Sequence, residues 1–387
     1  MLLFWYLVKI GIWDLGFTLI LEVIMSEETD NIEKKILTKK VKKPLANRYL
    51  TGSELLDIQV GGGEGLGYPV GKVINFVGDK SSGKTFLACE VVASAHYKFL
   101  DKFKWVYDDC ESGFSFNTKK LYGFEIMPLD ETKRTKSKTV EDLYCNVRNF
   151  LESLKDNEFG VYVIDSLDGL DSLEGKKLAD AQYNAYKKKR EKITREKEEK
   201  IKGSYRLGKP KYLSNTFFPQ LTDLTERKNA LIIVISQLRC NLTPGSFEKY
   251  TRSGGKAMDF YAHTVLWLAN VNKILAKGIP IGVTVKAKNT KSKTPRPYRE
   301  CFIKLYFEYG LDDITTNIDY LYDFLTPQGK LVKNPRGDWD DKSMSRNELV
   351  KYIEENNVSK ELKKKVKDKW EEIENSVKLN RRPKYES

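Results

Sequence analysis

The sequence predicts an α/β fold: a mostly parallel central sheet with helices on both faces, an antiparallel extension and a small C-terminal helical appendage. Three observations predict it. Apolar, β-branched runs alternate with helical patterns through the middle of the chain, the βαβ habit of a parallel sheet. One of these runs, "KVINFV" (Lys72 to Val77), enters the octet "GDKSSGKT" (Gly78 to Thr85). It is followed by "TFLACEVVASAHYKF", with Leu87, Val91, Val92, Ala95 and Phe99 at helical spacing. Late in the chain, three strand-like runs follow one another with only turns between them, as antiparallel neighbours do.

The strand candidates after the octet are "FKWVYD" (Phe103 to Asp108), "GVYVIDS" (Gly160 to Ser166), "ALIIVIS" (Ala230 to Ser236), "TVLWLANV" (Thr264 to Val271), "IGVTVKA" (Ile281 to Ala287) and "CFIKLYF" (Cys301 to Phe307). Helical patterns lie between them at Thr139 to Leu154 and Phe217 to Arg227. Beyond about Pro327 the chain becomes charged, and Leu349, Ile353, Leu362, Val366, Trp370, Ile373 and Val377 recur at helical spacing. A length of 387 residues accommodates one large domain with appendages. The expected division is a core over 49–326 carrying a basic insertion at 174–211, a short N-terminal segment at 25–48 and the charged region 327–387.

A net charge of +13 and a pI near 9.2 suit a polyanionic partner such as nucleic acid, or serve solubility alone. The five cysteines are scattered with no C-x-x-C pair, which suggests neither a disulfide framework nor a zinc site and fits a reducing cytoplasm. The opening "MLLFWYLVKIGIWDLGFTLILEVI" has the apolarity of a membrane span but is interrupted by Lys9, Asp14 and Glu22. Each would cost about 2.5–3.5 kcal/mol at mid-bilayer. It also lacks the small-residue cleavage site of a signal peptide. Because "LEVIM" can be encoded over a ribosome-binding sequence just before an ATG, translation is expected to start at Met25, leaving 1–24 without a structural role; no membrane partner is expected.

The octet fits G-x-x-x-x-G-K-[ST], in which backbone N–H groups wrap phosphates, a lysine reaches the β/γ oxygens and a hydroxyl holds Mg²⁺. With a strand before it and a helix after it, Gly78, Asp79, Lys80, Ser81, Ser82, Gly83, Lys84 and Thr85 are expected to hold a nucleotide phosphate. Two strands end in acids. Asp165 closes "VYVID", where a carboxylate orients the metal or its water, and Asp108, Asp109 and Glu111 close "VYDDCE", where a carboxylate can polarise water. Gln237 follows a third strand, where an amide can report on the γ-phosphate. The alternative for each is a strand-end turn.

Tyr49 to about Asp313 resembles the RecA recombinase family. The entry "LTGSELLDIQVGGGEGLGYPVGKVINFVGDKSSGKT", the D-x-E of Asp109 to Glu111, "VIDS" (Val163 to Ser166), "ISQLR" (Ile235 to Arg239) and "SGGKAMDFYA" (Ser253 to Ala262) occur in the family's order. The resemblance implies a RecA-type P-loop NTPase using ATP and Mg²⁺. Lys84 and Thr85 would serve phosphate and metal, Glu111 would activate water, Asp165 would serve the metal, and Gln237 would couple the γ-phosphate to the loop after it. That loop would touch single-stranded DNA, with Arg239, Lys249, Arg252 and Lys256 on phosphates and Gly254 and Gly255 allowing close backbone approach. Phe247 and Tyr250 either wedge against bases or pack the folded loop. Lys288 and Lys291 either reach a neighbouring subunit's nucleotide, as the family's lysines do, or are solvated hairpin lysines.

This chain also departs from the pattern. Phe116 stands near, not at, the family's adenine-stacking position. The region of the first DNA loop is a long basic stretch, Glu174 to Lys211, that reads as an arm over bound DNA or as a solvated helix. Only Ile32, Ile36 and Leu37 offer an apolar edge where the family's subunits join, and the tail is basic. The compact form is more similar to phage recombinases of the UvsX kind than to the bacterial housekeeping protein. The expected function is therefore an ATP-dependent recombinase that forms helical filaments on single-stranded DNA and pairs it with homologous duplex DNA, working with a loader or single-strand-binding protein. A ring helicase and a nonenzymatic ATP-gated DNA coat are the other readings.

Overall fold

The computed structural model describes residues 47–130, 133, 135–191, 208–240, 250–252 and 255–381. The expectations for the start at Met25 and for Ile32, Ile36 and Leu37 lie outside the described residues. So do residues 192–207 of the basic insertion, Phe247, Lys249, Gly254 and the tail from 382.

The strands in chain order are β1 (Arg48–Tyr49), β2 (Tyr68–Pro69), β3 (Lys72–Gly78), β4 (Phe103–Asp109), β5 (Phe159–Asp165), β6 (Ala230–Cys240), β7 (Tyr250–Arg252), β8 (Thr264–Ala276), β9 (Ile279–Ser292), β10 (Glu300–Tyr306), β11 (Gly310–Leu311), β12 (Arg336–Trp339) and β13 (Lys342–Ser345). The helices are α1 (Glu54–Gly61), α2 (Lys84–Phe99), α3 (Thr118–Tyr122), α4 (Val140–Ser153), α5 (Leu173–Glu191), α6 (Gly208–Tyr212), α7 (Phe218–Glu226), α8 (Gly255–Tyr261), α9 (Asp313–Leu321), α10 (Arg346–Glu355) and α11 (Ser359–Ser376).

The main sheet runs β11-β10-β9-β8-β3-β6-β5-β4, with β7 paired to β6. From β8 to β4 every pairing is parallel, and β9, β10 and β11 add antiparallel strands beyond β8. Parallel strands are covered on both faces, which is why they read as unbroken apolar runs rather than alternating ones. Val73 and Val77 of β3 enter one core with Val147, Leu151 and Leu221 of α4 and α7. Ile74 and Phe76 enter the other with Leu87 and Val91 of α2 and Leu55 of α1.

Local signals fix the ends. Thr139 and Asp142 form a capping box at the start of α4, each side chain bonded to the other's backbone. The late strands run past their sequence-predicted limits, because Lys277 and Gly278 take positive φ (50° and 81°) and turn β8 directly into β9. A type I′ two-residue hairpin needs positive φ at both central positions.

The charged C-terminal region holds the two expected helices, α10 and α11, preceded by the hairpin β12–β13, which the sequence reading did not foresee. Trp339, Leu349, Ile353, Leu362, Val366 and Trp370 join the core beneath α1 and α2. Ile373 and Val377 are exposed despite their helical spacing. Ion pairs line this seam. Asp319 of α9 is bonded by Lys304 and Arg346, Glu374 by Arg299, Glu371 by Arg296, and Asp313 by Lys363.

Candidate active site

The parallel register sets Gly78 opposite Gln237 and Asp109 opposite Asp165, so four strand ends deliver their polar residues to one edge of the sheet. Between β3 and α2 the chain makes a tight loop. A Cβ on Gly78 would lie 2.3 Å from Ser82 Oγ and 2.5 Å from the Leu268 carbonyl oxygen, so only glycine fits. Ser81 (φ 59°) and Gly83 (φ 86°) take left-handed conformations that turn successive N–H groups toward a common point, where α2 begins. Such a nest at a helix N-terminus is an anion site.

Lys84 is buried, and its ammonium donates to the loop's own carbonyls, Gly78 O at 3.1 Å and Asp79 O at 2.7 Å. Burial lowers its pKa, against the pull of the carboxylates of Asp165, Asp79, Glu111 and Asp168. The next residue, Thr85, donates its hydroxyl to Asp165 Oδ2 at 2.8 Å, and the Tyr107 hydroxyl donates to the same oxygen at 2.5 Å. Burial pushes the Asp165 pKa up and these two hydrogen bonds oppose it, so the site holds a carboxylate whose charge a cation would relieve. A hydroxyl and a carboxylate are hard oxygen donors. With phosphate oxygens and water they suit Mg²⁺, which seldom takes a full cage of protein ligands. Among the described residues no group of three or more His, Cys, Asp or Glu could hold a metal by itself.

Glu111 stands on the turn after β4. Its two carboxylate oxygens each accept from Gln237 Nε2 at 2.9 Å, and the Ser166 hydroxyl donates to Oε1. The Gln237 backbone N–H donates to Asp168 Oδ2 at 2.9 Å. One amide thus joins the acid of β4 to the strand end that leads toward β7 and α8. Asp109 shapes the segment after Glu111 by accepting from Gly113 N (3.2 Å) and Phe114 N (2.8 Å).

A cleft of about 250 Å³ runs from Ser81–Phe86 to Phe116, Val283, Leu305, Tyr306 and Phe307. Phe116 meets Phe86 edge-on at 5.8 Å and lines this cleft. Tyr306 and Phe307 were missed as site residues. Their signal was the aromatic end of "CFIKLYF".

The structure therefore brings Lys84, Thr85, Glu111, Asp165 and Gln237 together, with Phe116 at the cleft. Lys291 is engaged elsewhere: its ammonium donates to Phe260 O (3.1 Å) and Ala262 O (2.6 Å) at the C-terminal end of α8, and also to Asp259 O, with burial lowering its pKa to about 8. Lys288 is exposed on β9. Arg239 is the penultimate residue of β6, and Gly255 and Lys256 open α8. Arg252 lies in β7 with its guanidinium withdrawn from solvent against Asp259, so any contact with DNA requires that pair to open. Tyr250 is exposed.

A family model described as the RecA N-terminal domain matches residues 196–312. Protein RecA of Ureaplasma parvum is 27% identical over 346 residues, covering 88% of this chain and 90% of its own length. Protein RecA of Mesoplasma florum is 25% identical over 285 residues (72% and 74%), and that of Ehrlichia ruminantium 25% over 273 residues (70% and 66%). A crystal structure of the RadB recombinase aligns with TM-score 0.44 at 18% identity over 69% of this chain and 99% of that one. At that level of likeness it adds nothing to the assignment. The chain is thus similar to RecA proteins along most of its length, at 25–27% identity, and it brings a G-x-x-x-x-G-K-T loop, strand-end acids and the Gln237 amide to one edge of its sheet.

Proposed function

We propose that this protein is an ATP-dependent DNA recombinase and a DNA-dependent ATPase that assembles on single-stranded DNA as a helical filament and pairs it with homologous duplex. The observation that carries the reading is the bidentate contact of Gln237 with Glu111. The residue that would sense the γ-phosphate touches the acid that would activate water, and its own strand leads into the segment 238–255.

Lys84 and the loop N–H groups would bind the phosphates, Thr85 and Asp165 would hold a Mg²⁺ that offsets phosphate charge, and Phe116 would cover the base. Glu111 takes a proton from the attacking water, and loss of the γ-phosphate frees Gln237 to relax the DNA-facing segment, an order change of the kind nucleotide switches use. Arg239, Lys249 and Lys256 contact DNA phosphates without reading sequence, so homology is tested by base pairing. The described part of the basic insertion, α5, exposes Tyr183, Tyr186 and several lysines, which suits an arm along bound DNA. We assign the work to the cytoplasm, with a loader or single-strand-binding protein as accessory.

The test is strand exchange between single-stranded DNA and homologous or heterologous duplex, with ATP and Mg²⁺, and negative-stain imaging of the same samples. Homology-dependent, ATP-dependent exchange on helical filaments is expected. Closed rings that unwind duplex without exchange would move the assignment to a helicase, and filaments without turnover would move it to an ATP-gated coat.

A further inference from the structure

We propose that Tyr107 is a positioning residue for the metal-side carboxylate: its hydroxyl anchors one oxygen of Asp165 so that the other is kept for the Mg²⁺ ion and its water. The inference rests on reading the site as a Mg²⁺–ATP site.

Two donors from different elements converge on a single carboxylate oxygen. Thr85 approaches Asp165 Oδ2 from α2 and Tyr107 approaches it from β4, the strand paired with the one that carries Asp165. Among the described residues no hydrogen bond falls on Oδ1. The two donors are not equivalent. The Thr85 hydroxyl is also the one a phosphate-bound metal takes as ligand, whereas Tyr107 is fully buried and, among the described residues, its hydroxyl makes no other hydrogen bond.

Its ring is held firmly. It packs on Phe114 with centroids 4.6 Å apart, and its backbone carbonyl accepts from Leu129 N at 2.9 Å. A hydroxyl on a ring that cannot swing away fixes the rotation of the carboxylate it touches, so Asp165 need not be ordered when the metal arrives. Phe114 is itself held by Asp109, so the ring that orients the metal carboxylate is packed by the segment that bears Glu111 and Phe116.

A buried tyrosine that merely needs a hydrogen-bond partner would show the same contact, and a metal titration separates the two roles. In the full chain, Tyr107→Phe keeps the ring and removes the hydroxyl. Binding of a fluorescent ATP analogue is followed against Mg²⁺ concentration and again in EDTA. The Mg²⁺ concentration for half-maximal binding should rise roughly tenfold, as expected for loss of a hydrogen bond to a charged group, with metal-free affinity unchanged. An unshifted Mg²⁺ midpoint overturns the proposal, as does an equal loss of affinity with and without metal, which would mark a packing role. If the unsubstituted chain itself binds nucleotide with no dependence on Mg²⁺, the reading of the site falls and this inference with it.

Discussion

The phosphate edge of the sheet and the seam beneath the C-terminal helices are both dense in charge, and they use it in opposite ways. At the seam, charges satisfy one another: Asp319, almost fully buried, sits between Lys304 and Arg346, and the arginines of the β9–β10 turn meet Glu371 and Glu374 of α11. At the phosphate edge the charges stay apart. Lys84 is bonded to backbone carbonyls instead of to a carboxylate, Asp165 is held by neutral hydroxyls, and Glu111 by an amide and a hydroxyl. Paired charges fix a structure, whereas unpaired ones remain for a ligand, which in the function proposed here is a polyphosphate with a divalent cation. Perturbed pKa values at such unpaired groups are a usual mark of a working site.

Substitutions that separate the two regions sharpen this contrast. Glu111→Gln should lower ATP turnover by about 10²–10⁴-fold, the usual contribution of a general base, while nucleotide and DNA binding persist. Unchanged turnover would remove Glu111 from the chemistry.

At the seam, Asp319→Ala strands the buried Lys304 and the half-buried Arg346 and should cost about 3–5 kcal/mol of stability in urea unfolding. Nucleotide affinity of the folded protein should stay nearly constant. If Asp319→Ala instead abolished nucleotide binding without destabilising the fold, the division between the regions would fail.

A smaller effect is expected at the exit of β6. Arg239→Ala should weaken single-stranded DNA binding about tenfold and reduce the salt dependence by about one ion, with ATP affinity intact. Unaltered DNA affinity would count against the role given to the segment after Gln237.

The smallest effect concerns Glu90 of α2, between the two regions, whose Oε1 accepts from Leu311 N at 3.0 Å. Burial raises its pKa to about 7. A raised carboxyl pKa means that the folded state binds the proton more tightly. This contribution is therefore full below the ordinary glutamate range and is lost as pH rises toward about 7, at no more than about 1.4 kcal/mol per pH unit. Glu90→Gln should flatten that slope in denaturant melts between pH 5 and 8, and an unchanged slope would assign the pH dependence elsewhere.

Much of the phosphate edge was legible in the sequence because apolar runs and their polar ends are local. "KVINFV", "VYVID" and "ALIIVIS" are buried apolar runs, and at their C-terminal ends stand Gly78, Asp165 and Gln237. Contacts across strands were not legible. That Gln237 reaches Glu111, that Tyr107 donates to Asp165 and that Arg252 turns onto Asp259 depend on side-chain directions that no spacing encodes. The hairpin β12–β13 escaped because four-residue strands reading "RGDW" and "KSMS" carry little alternation. Ile373 and Val377 share the helical period but are exposed, whereas Glu374 beside Ile373 is buried against Arg299, so periodicity overstated the buried apolar face.

The most direct test is the rate of ATP hydrolysis with and without single-stranded DNA, measured on the unsubstituted chain and on Gln237→Ala. Strong stimulation by DNA in the former, and its loss in the latter with nucleotide affinity retained, is the predicted result. DNA stimulation that survives in Gln237→Ala would contradict the coupling between the phosphate edge and the DNA-facing segment.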